Sequence, residues 1–338
     1  MLHATAIVVT TGLLLTLVNA AALSLSNEGG LSRRDVLGGA AAATVGAPLF
    51  VPTSNPARAA SGDSAAPIAI VGASGRTGAL CVASVLRRGL PAKALTRSGA
   101  WPPPKIDFEA AVGYYGDVAS DPLLTVEACD VKSGVDAISA HLSGCRAVIY
   151  AASASKRGGN SKEIDCDGVV TTGEACIKEK VGRYVVLSSG STTRPRSLGF
   201  KFTELAVAGI MTNKRLGEVG VRDAFASSES SSYTVVRPGG LDEPRENIVQ
   251  GPSALELTQG DVLAGFVSRA DVAEVAVELA LSSAPNVRNT ALELYYRKNV
   301  VPVDRVYRKY LKEGVERLHG DTYEELFEGI KANCDYLT

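Results

Sequence analysis

The chain has 338 residues, a formal net charge of −1, 46% hydrophobic residues and 21% charged residues. This is an ordinary globular composition, and its near-neutral charge argues against a polyelectrolyte that binds nucleic acid. The three histidines and six cysteines show no CxxC spacing, so little is available to build a zinc site or a Ser-His-Asp triad. We therefore expect no metal and no nucleic-acid partner. Most cysteines lie in apolar or helical segments, which favours free thiols, although pairing in an oxidising compartment is the alternative.

The first 59 residues resemble targeting signals. Residues 1–22 contain an apolar run that ends in small residues, as a secretory signal peptide does, but they lack a basic start, so an uncleaved anchor is the alternative. Residues 32–59 contain Arg33-Arg34, a second apolar run and the small-residue sequence Ala57-Arg58-Ala59. Together these features predict a twin-arginine thylakoid signal that is cleaved after Ala59.

Two export signals in tandem require two membranes to be crossed. The arrangement resembles the layered presequences of algae with complex plastids, and it predicts a plastid location with the thylakoid lumen as destination. A single long presequence that leaves the protein in the plastid stroma is the alternative. The short middle segment, residues 24–31, contains Glu28, which fits a transit peptide poorly. The mature chain is expected to be soluble or peripheral to a membrane.

From Pro67 onward an apolar strand leads into three glycines spaced three apart and then into an apolar helix. The first glycine lets the chain turn off the strand, the second lets backbone N–H groups approach a pyrophosphate, and the third lets the helix pack on the sheet. The N-terminus of the helix then faces the anion. A tight turn that binds nothing is the alternative. The pattern predicts a dinucleotide site at Gly72, Ala73, Ser74, Gly75, Arg76, Thr77 and Gly78.

Apolar strands and helices alternate along the rest of the chain, which predicts an α/β fold with a doubly wound parallel sheet of the Rossmann type. Strands are predicted at residues 67–71, 92–96, 123–128, 146–151, 184–187 and 233–236. Helices are predicted at 168–180 and 205–226, a surface loop at 98–121, and two packing helices at 303–337. The resulting organisation is an NAD(P)-binding domain with its substrate cleft at 67–300 and a helical C-terminal extension at 301–338.

At the end of the second predicted strand, an NAD-specific site would place an acid for the ribose 2′-hydroxyl. This chain has Thr96-Arg97-Ser98 there. A guanidinium suits a 2′-phosphate, so Arg97 favours NADP(H) over NAD, and Arg76 adds a second positive charge. The alternative is that Arg97 is a solvated loop residue.

Further motifs follow in a fixed order: Asp130-Val131, Ala151-Ala152-Ser153, Leu187-Ser188-Ser189-Gly190 and Val236-Arg237-Pro238-Gly239-Gly240-Leu241. With the glycine loop they make the chain, over about residues 68–294, similar to atypical short-chain dehydrogenases/reductases of the NmrA-like group. The similarity is greatest to the plant and algal plastid branch that includes the NADPH-binding subunit of the chloroplast import machinery.

The resemblance assigns roles to these motifs. It implies that Asp130 approaches the adenine and that Val131 packs on it, with Asp117 as the alternative to Asp130. It also implies that two segments flank the nicotinamide, namely Ala151, Ala152 and Ser153, and Pro238, Gly239 and Gly240.

Short-chain reductases use a serine together with a Tyr-x-x-x-Lys pair, in which the tyrosine donates a proton to the substrate. Ser189 matches the serine, with Ser191 as the alternative, and Lys214 matches the lysine, which also holds the ribose. The tyrosine position is occupied by Ile210, which cannot donate a proton.

Three functional hypotheses remain open. In the first, the protein transfers a hydride from NADPH to a quinone- or flavin-like acceptor that needs no tyrosine. In the second, it is a non-catalytic, NADPH-dependent sensor or assembly factor for thylakoid or plastid protein complexes. In the third, Ser189 and Lys214 hold ribose and structure, and no reaction occurs. The substrate pocket is expected between residues 189–200, 237–246 and 247–267, and its mixed composition names no substrate.

Overall fold

A computed structural model describes residues 66–101, 104–155, 158–241, 247–299, 301–302 and 316–332. The predicted targeting segments lie outside the described residues, as do residues 303–315 and 333–337 of the predicted C-terminal helices. No helix in the described ranges is long and apolar enough to span a membrane.

The described residues form thirteen strands, most of which belong to one sheet. In chain order they are β1 (Ile68–Val71), β2 (Ala92–Thr96), β3 (Leu124–Ala128), β4 (Ala147–Tyr150), β5 (Arg183–Leu187), β6 (Ser232–Pro238), β7 (Gly240–Leu241), β8 (Leu255–Thr258), β9 (Leu263–Ala264), β10 (Phe266–Val267), β11 (Thr290–Tyr296), β12 (Val301–Pro302) and β13 (Arg317–Leu318).

The main sheet has the order β13-β8-β11-β6-β5-β4-β1-β2-β3. All neighbours from β11 to β3 are parallel, whereas β8 is antiparallel to both β11 and β13. The chain order reverses between β1 and β4, which is the point at which doubly wound sheets bind their ligands. This confirms the predicted α/β class and parallel sheet.

Helices cover both faces of the sheet. They are α1 (Arg76–Arg87), α2 (Phe108–Val112), α3 (Val135–Leu142), α4 (Gly168–Lys178), α5 (Leu198–Ala206), α6 (Ile210–Phe225), α7 (Arg269–Leu281) and α8 (Tyr323–Glu328). A π-helical turn, Lys162–Asp167, leads directly into α4. One core layer packs α1 and α7 on the sheet, and the other packs α3, α4 and α6. The central strands are buried along their whole length because both of their faces are covered.

The helix predicted at 205–226 is wrong as a single element. Helix α5 ends at Ala206 and α6 begins at Ile210, and between them Gly209 adopts a left-handed φ of 74°. The Glu204 carboxylate accepts a 2.7 Å hydrogen bond from the Met211 N–H, which satisfies one of the unpaired donors at the start of α6.

The surface loop predicted at 98–121 contains helix α2 and a short 3-10 turn at Val118–Ser120. Both begin at aspartates, because the Asp107 carboxylate accepts from the Ala110 N–H and the Asp117 carboxylate from the Ala119 N–H, each at 3.0 Å.

The tail differs from the predicted pair of helices in its described part. Leu318 lies in strand β13, and only α8 is helical. Strand β13 extends the sheet by pairing antiparallel with β8, and Arg317 also donates two 2.6 Å hydrogen bonds to the buried carboxylate of Glu256 on β8. Strands β8 and β11 are absent from the sequence prediction. The cysteines in the described ranges are free thiols, as predicted: Cys81, Cys129, Cys145, Cys166 and Cys176.

Candidate dinucleotide site

The glycine loop closes tightly at the carboxyl end of β1. Gly72 has a φ of 77°, and a Cβ there would lie 2.6 Å from the backbone N and Cα of Ala152. A Cβ on Gly78 would overlap the carbonyl oxygen of Gly72, whereas one on Gly75 would remain 3.1 Å from that oxygen. The loop therefore requires glycine most strictly at 72 and 78, at the turn and at the packing of helix on loop.

The N-terminus of α1 has the properties of an anion site. Gly75 is its N-cap, no side chain caps it, and its first turn contains no acid. Gly75 and Arg76 are exposed, and Ser74 and Thr77 are half-buried. Ala73 is buried, and its N–H donates to the Leu95 carbonyl at 3.2 Å, so its backbone belongs to the fold. The open donors and the helix dipole favour a phosphate.

Arg97 lies in the exposed turn that follows β2. The turn is fixed by the Thr96 hydroxyl, which donates to the Ala100 carbonyl at 2.9 Å. Within the described ranges no acid forms an ion pair with Arg97 or Arg76. Both guanidinium groups remain available to a phosphate.

Asp130 and Val131 follow β3, beside the end of β2. The Cys129 N–H donates to the Thr96 carbonyl at 2.8 Å and brings the two strand ends together. The Asp130 carboxylate accepts from the Lys132 N–H at 3.0 Å, and Val131 is partly buried next to Gly168. Asp117, by contrast, caps the 3-10 turn described above.

The segment after β4 contacts an ion pair that was not predicted from the sequence. Lys214 on α6 lies 2.8 Å from Oδ1 of Asp165, which is in the π-helical turn. The Ser153 hydroxyl donates to the same oxygen at 2.6 Å, and the Ala154 N–H donates to Oδ2 at 2.9 Å. The Asp165 side chain is 0% exposed and that of Lys214 is 11% exposed. Lys214 and Ser153 are therefore neighbours, and Ala152 joins them to Gly72.

Of the two candidate serines, Ser189 is the more accessible. It is half-buried, and its hydroxyl donates to the Gly190 carbonyl at 3.2 Å. Ser191 is buried at a φ of 69°, and its N–H donates to Asp261 at 2.5 Å. Ile210 is buried against Phe200 and Met211, so the position expected to hold the acid is an apolar contact.

Pro238, Gly239 and Gly240 continue from β6 along the same edge. The Pro238 carbonyl accepts from the Gly190 N–H at 2.8 Å, and the Gly239 N–H donates to the Leu294 carbonyl at 3.0 Å. A Cβ on Gly239 would lie 2.7 Å from the ring of Tyr295, so glycine is needed there for close packing.

Behind this edge lies a buried network centred on Arg237, which is 0% exposed. Its guanidinium binds Glu218 at 2.7 Å and Glu293 at 3.1 Å, and Glu218 also accepts a short hydrogen bond from the Ser188 hydroxyl. Burial alone would lower the pKa of Arg237, but the two carboxylates raise it above its ordinary value. Burial, together with nearby Asp261, raises the pKa of Glu293 to about 7.

This network was not predicted from the sequence, although the sequence contains a signal for it. Glu293 stands in the middle of the otherwise uncharged stretch Thr290–Tyr296, and a charge in a buried strand requires a partner. In the described ranges, no group of three or more His, Cys, Asp or Glu side chains could hold a metal ion.

The glycine loop, Arg97, Asp130 and the segments after β4, β5 and β6 all lie at the carboxyl ends of parallel strands, on both sides of the point where strand order reverses. This arrangement defines a dinucleotide-binding protein of the Rossmann type. Residues 72–283 match the NAD(P)H-binding family. The chain belongs to that family, and its cofactor is NAD(P)H.

The chain is also similar to two relatives and to two solved structures. The chain is 30% identical over 226 residues to an uncharacterised chloroplastic protein of Arabidopsis thaliana, covering 63% of this chain and 71% of the relative. It is 26% identical over 230 residues to a UPF0659 protein of Saccharomyces cerevisiae, covering 66% of this chain and 90% of the relative.

An oxidoreductase from Lactococcus lactis superposes with a TM-score of 0.51 at 19% identity, covering 75% of this chain and all of the other. A short-chain dehydrogenase/reductase from Veillonella parvula in complex with NADP has a TM-score of 0.50 at 14% identity, covering 69% of this chain and 95% of the other. At these identities the likeness shows the shared fold.

Proposed function

We propose that the protein is an NADPH-dependent reductase that transfers a hydride to an apolar, electron-poor acceptor of the quinone or flavin kind. The observation that carries the proposal is a dinucleotide site with exposed apolar side chains on the segments that follow β5 and β6, while the position of the usual proton donor is the buried Ile210.

The preference for NADPH rests on Arg97. Its side chain is exposed at the end of β2, has no acidic partner in the described ranges, and follows the strand that ends next to the glycine loop. A free guanidinium binds a phosphate through two charge-assisted hydrogen bonds, whereas an acid would bind a 2′-hydroxyl.

Different residues bind different parts of the nucleotide. The N–H groups at the start of α1 bind the pyrophosphate, Arg97 and Arg76 bind the 2′-phosphate, and Asp130 and Val131 contact the adenine. Lys214 keeps donors for the ribose, and Ser189 faces the acceptor. Bound NADPH supplies the hydride. Because Ile210 cannot donate a proton, the acceptor takes its proton from water, as a reduced quinone or flavin does readily.

The nature of the acceptor rests on the segments that follow β5 and β6. Leu198, Phe202 and Leu205 are exposed on α5, and Leu241 and Phe266 are exposed on the paired strands β7 and β10. Exposed apolar side chains concentrated near a binding edge indicate an apolar ligand or partner. A flat, apolar acceptor would cover them.

The cellular location is also part of the proposal. Residues 1–59 have the features of a signal peptide followed by a twin-arginine signal, and the Arabidopsis relative is chloroplastic. We place the protein in the plastid, in the thylakoid lumen, with the stroma as the alternative. A fluorescent fusion of residues 1–66 tests this, because changing both Arg33 and Arg34 to Lys is expected to stop arrival in the lumen.

A second function, a non-catalytic NADPH-dependent assembly factor, is favoured by one observation. Leu198, Phe202 and Leu205 lie at helical spacing on one face of α5, which also suits a protein partner. The atypical short-chain dehydrogenases/reductases that this chain resembles include both reductases and binding proteins. The protein therefore has to be tested for turnover.

Purified protein from residue 60 onward is titrated with NADPH and NADH by fluorescence, and NADPH oxidation is then followed with a panel of quinones and flavins. We expect tighter binding of NADPH and acceleration by at least one apolar quinone. No acceleration by any acceptor, combined with NADPH-dependent capture of a purified thylakoid complex, would favour the assembly-factor function and reject the reductase.

A further inference from the structure

Asp165 is a buried acid outside every motif of the sequence analysis. It lies in the π-helical turn Lys162–Asp167, and its side chain is 0% exposed. Single π-helical turns within α-helices are rare, and those that occur often lie at functional sites. A carboxylate buried this deeply is tolerated only when its oxygens are fully bonded.

The bonds to Asp165 come from two different elements. Oδ1 accepts from the Ser153 hydroxyl at 2.6 Å and from Nζ of Lys214 at 2.8 Å, and Oδ2 accepts from the Ala154 N–H at 2.9 Å. Ser153 and Ala154 belong to the segment after β4, whereas Lys214 belongs to α6. One carboxylate therefore joins the two elements.

The turn that presents Asp165 is itself fixed on both sides. The Tyr150 hydroxyl at the end of β4 donates to the Ile164 carbonyl at 2.6 Å. On the α6 side, a Cβ on Gly217 would overlap the carbonyl oxygen of Asp165, so the two backbones are in close contact. Asp165 has little freedom to move when its partners change.

We propose that Asp165 is a positioning residue for the nicotinamide half of the bound nucleotide. It holds the Lys214 ammonium at one point and orients the Ser153 hydroxyl beside it, so that the donors left on Lys214 are aimed at the ribose. The inference rests on the proposed function, which places Lys214 at that ribose. The direct carboxylate partner also fixes the lysine without a tyrosine one helical turn earlier.

The experiment measures binding of two ligands by equilibrium titration. NADPH contains the nicotinamide riboside, whereas adenosine 2′,5′-bisphosphate contains only the part expected at Arg97 and Asp130. We expect Asp165→Asn and Lys214→Met each to weaken NADPH binding tenfold or more, and the double variant to be no weaker than Lys214→Met. Binding of the bisphosphate should stay within twofold of the parent in all three.

Two further variants complete the design. Ser153→Ala removes only the hydroxyl and is expected to weaken NADPH binding two- to fivefold. Lys162→Met breaks the exposed ion pair with Asp167 in the same π-helical turn and is expected to change neither affinity. Thermal unfolding monitors the fold of each variant.

The outcomes separate the two claims. If Lys214→Met weakens NADPH binding and Asp165→Asn does not, the positioning role is overturned and the proposed function stands. If Asp165→Asn weakens both ligands equally, Asp165 serves only the fold, and the inference is again overturned. If Lys214→Met leaves NADPH binding unchanged, the ribose contact in the proposed function is wrong.

Discussion

The two halves of the carboxyl edge are built in different ways. The loops after β1, β2 and β3 are held by backbone hydrogen bonds and nearby side chains, such as the Gly75 N–H to the Gly72 carbonyl at 2.9 Å. The loops after β4, β5 and β6 are held by buried charges far apart in sequence: Asp261 binds Ser191 across 70 residues, and Arg237 binds Glu293 across 56.

The difference has an energetic consequence. A loop fixed by backbone hydrogen bonds fails only where an added side chain cannot fit. A loop fixed by buried charges fails when any member of the network is removed, because the remaining charges are left without partners in a medium of low dielectric. We therefore expect changes in the first half to act on cofactor binding and changes in the second half to act on stability as well.

The largest effect is expected from Arg237→Met. It removes the guanidinium that pairs with Glu218 and Glu293, and breaking a buried ion pair costs about 3–5 kcal/mol. Chemical denaturation measures the free energy of unfolding. Lys178→Met, which removes an exposed pair with Asp136, is the control and should cost less than about 1 kcal/mol. Equal losses in the two variants would contradict the contrast between the halves.

In the first half, Gly72→Ala tests the close approach to Ala152. The new Cβ would lie 2.6 Å from the Ala152 backbone, so the loop must shift, and NADPH affinity is expected to fall on the order of a hundredfold. Gly89→Ala is a matched control, because Gly89 also has a left-handed φ, 68°, but nothing lies within 4 Å of its Cβ. If both variants keep the parent affinity, the loop does not need the close approach.

The same contrast explains how much the sequence could predict. The glycine loop, the strands β1 to β6 and the turn at Arg97 are signalled by residues within a few positions of one another. The continuous apolar runs in those strands predict that the strands are buried. Gly209 and Glu204, at the break between α5 and α6, are also close in sequence. The break was not predicted because it depends on the Glu204 carboxylate bonding to the N–H of Met211, seven residues further along.

The second half could not be predicted in this way. The sequence gives no sign that Asp165 meets Lys214, or that Asp261 holds the Ser191 loop, because each contact exists only after the sheet has brought distant segments together. Strands β8 and β11 contain Glu256 and Glu293, so their pattern lacks the clean apolar run of a central strand, and their partners on β13 and β6 are unknown until the fold is known.

Glu293 makes the buried network sensitive to pH. Its pKa is raised to about 7 from an ordinary value of 4.5, so the folded chain keeps a proton that the unfolded chain releases. Between these values the folded state binds more protons, and the free energy of unfolding contributed by Glu293 falls as pH rises. Glu293→Gln lacks this contribution. Between about pH 5 and pH 7.5, the free energy of unfolding of the variant should therefore fall by about 2 kcal/mol less than that of the parent. Chemical denaturation at several pH values measures this difference, and an identical pH dependence of the free energy of unfolding in both proteins would contradict the prediction.

A smaller effect is expected from Arg97→Glu, which acts only on the 2′ position of the nucleotide. The carboxylate repels a 2′-phosphate and accepts from a 2′-hydroxyl, so the preference for NADPH over NADH should fall about tenfold or reverse. Titration with both nucleotides measures it. Arg194→Glu is unsuitable as a control because Arg194 binds the Asp261 carbonyl, whereas exposed Arg196→Glu should leave the preference unchanged.

The smallest change is expected from Ile210→Tyr, which restores the tyrosine position one turn before Lys214. Ile210 packs with Phe200 and Met211, whereas Lys214 is held by the Asp165 carboxylate, so NADPH affinity should stay within about twofold of the parent. NADPH binding would then be independent of this residue, and any new carbonyl reduction by the variant would come from the added proton donor alone. A large loss of NADPH binding would instead show that Ile210 supports the ribose lysine through the first turn of α6.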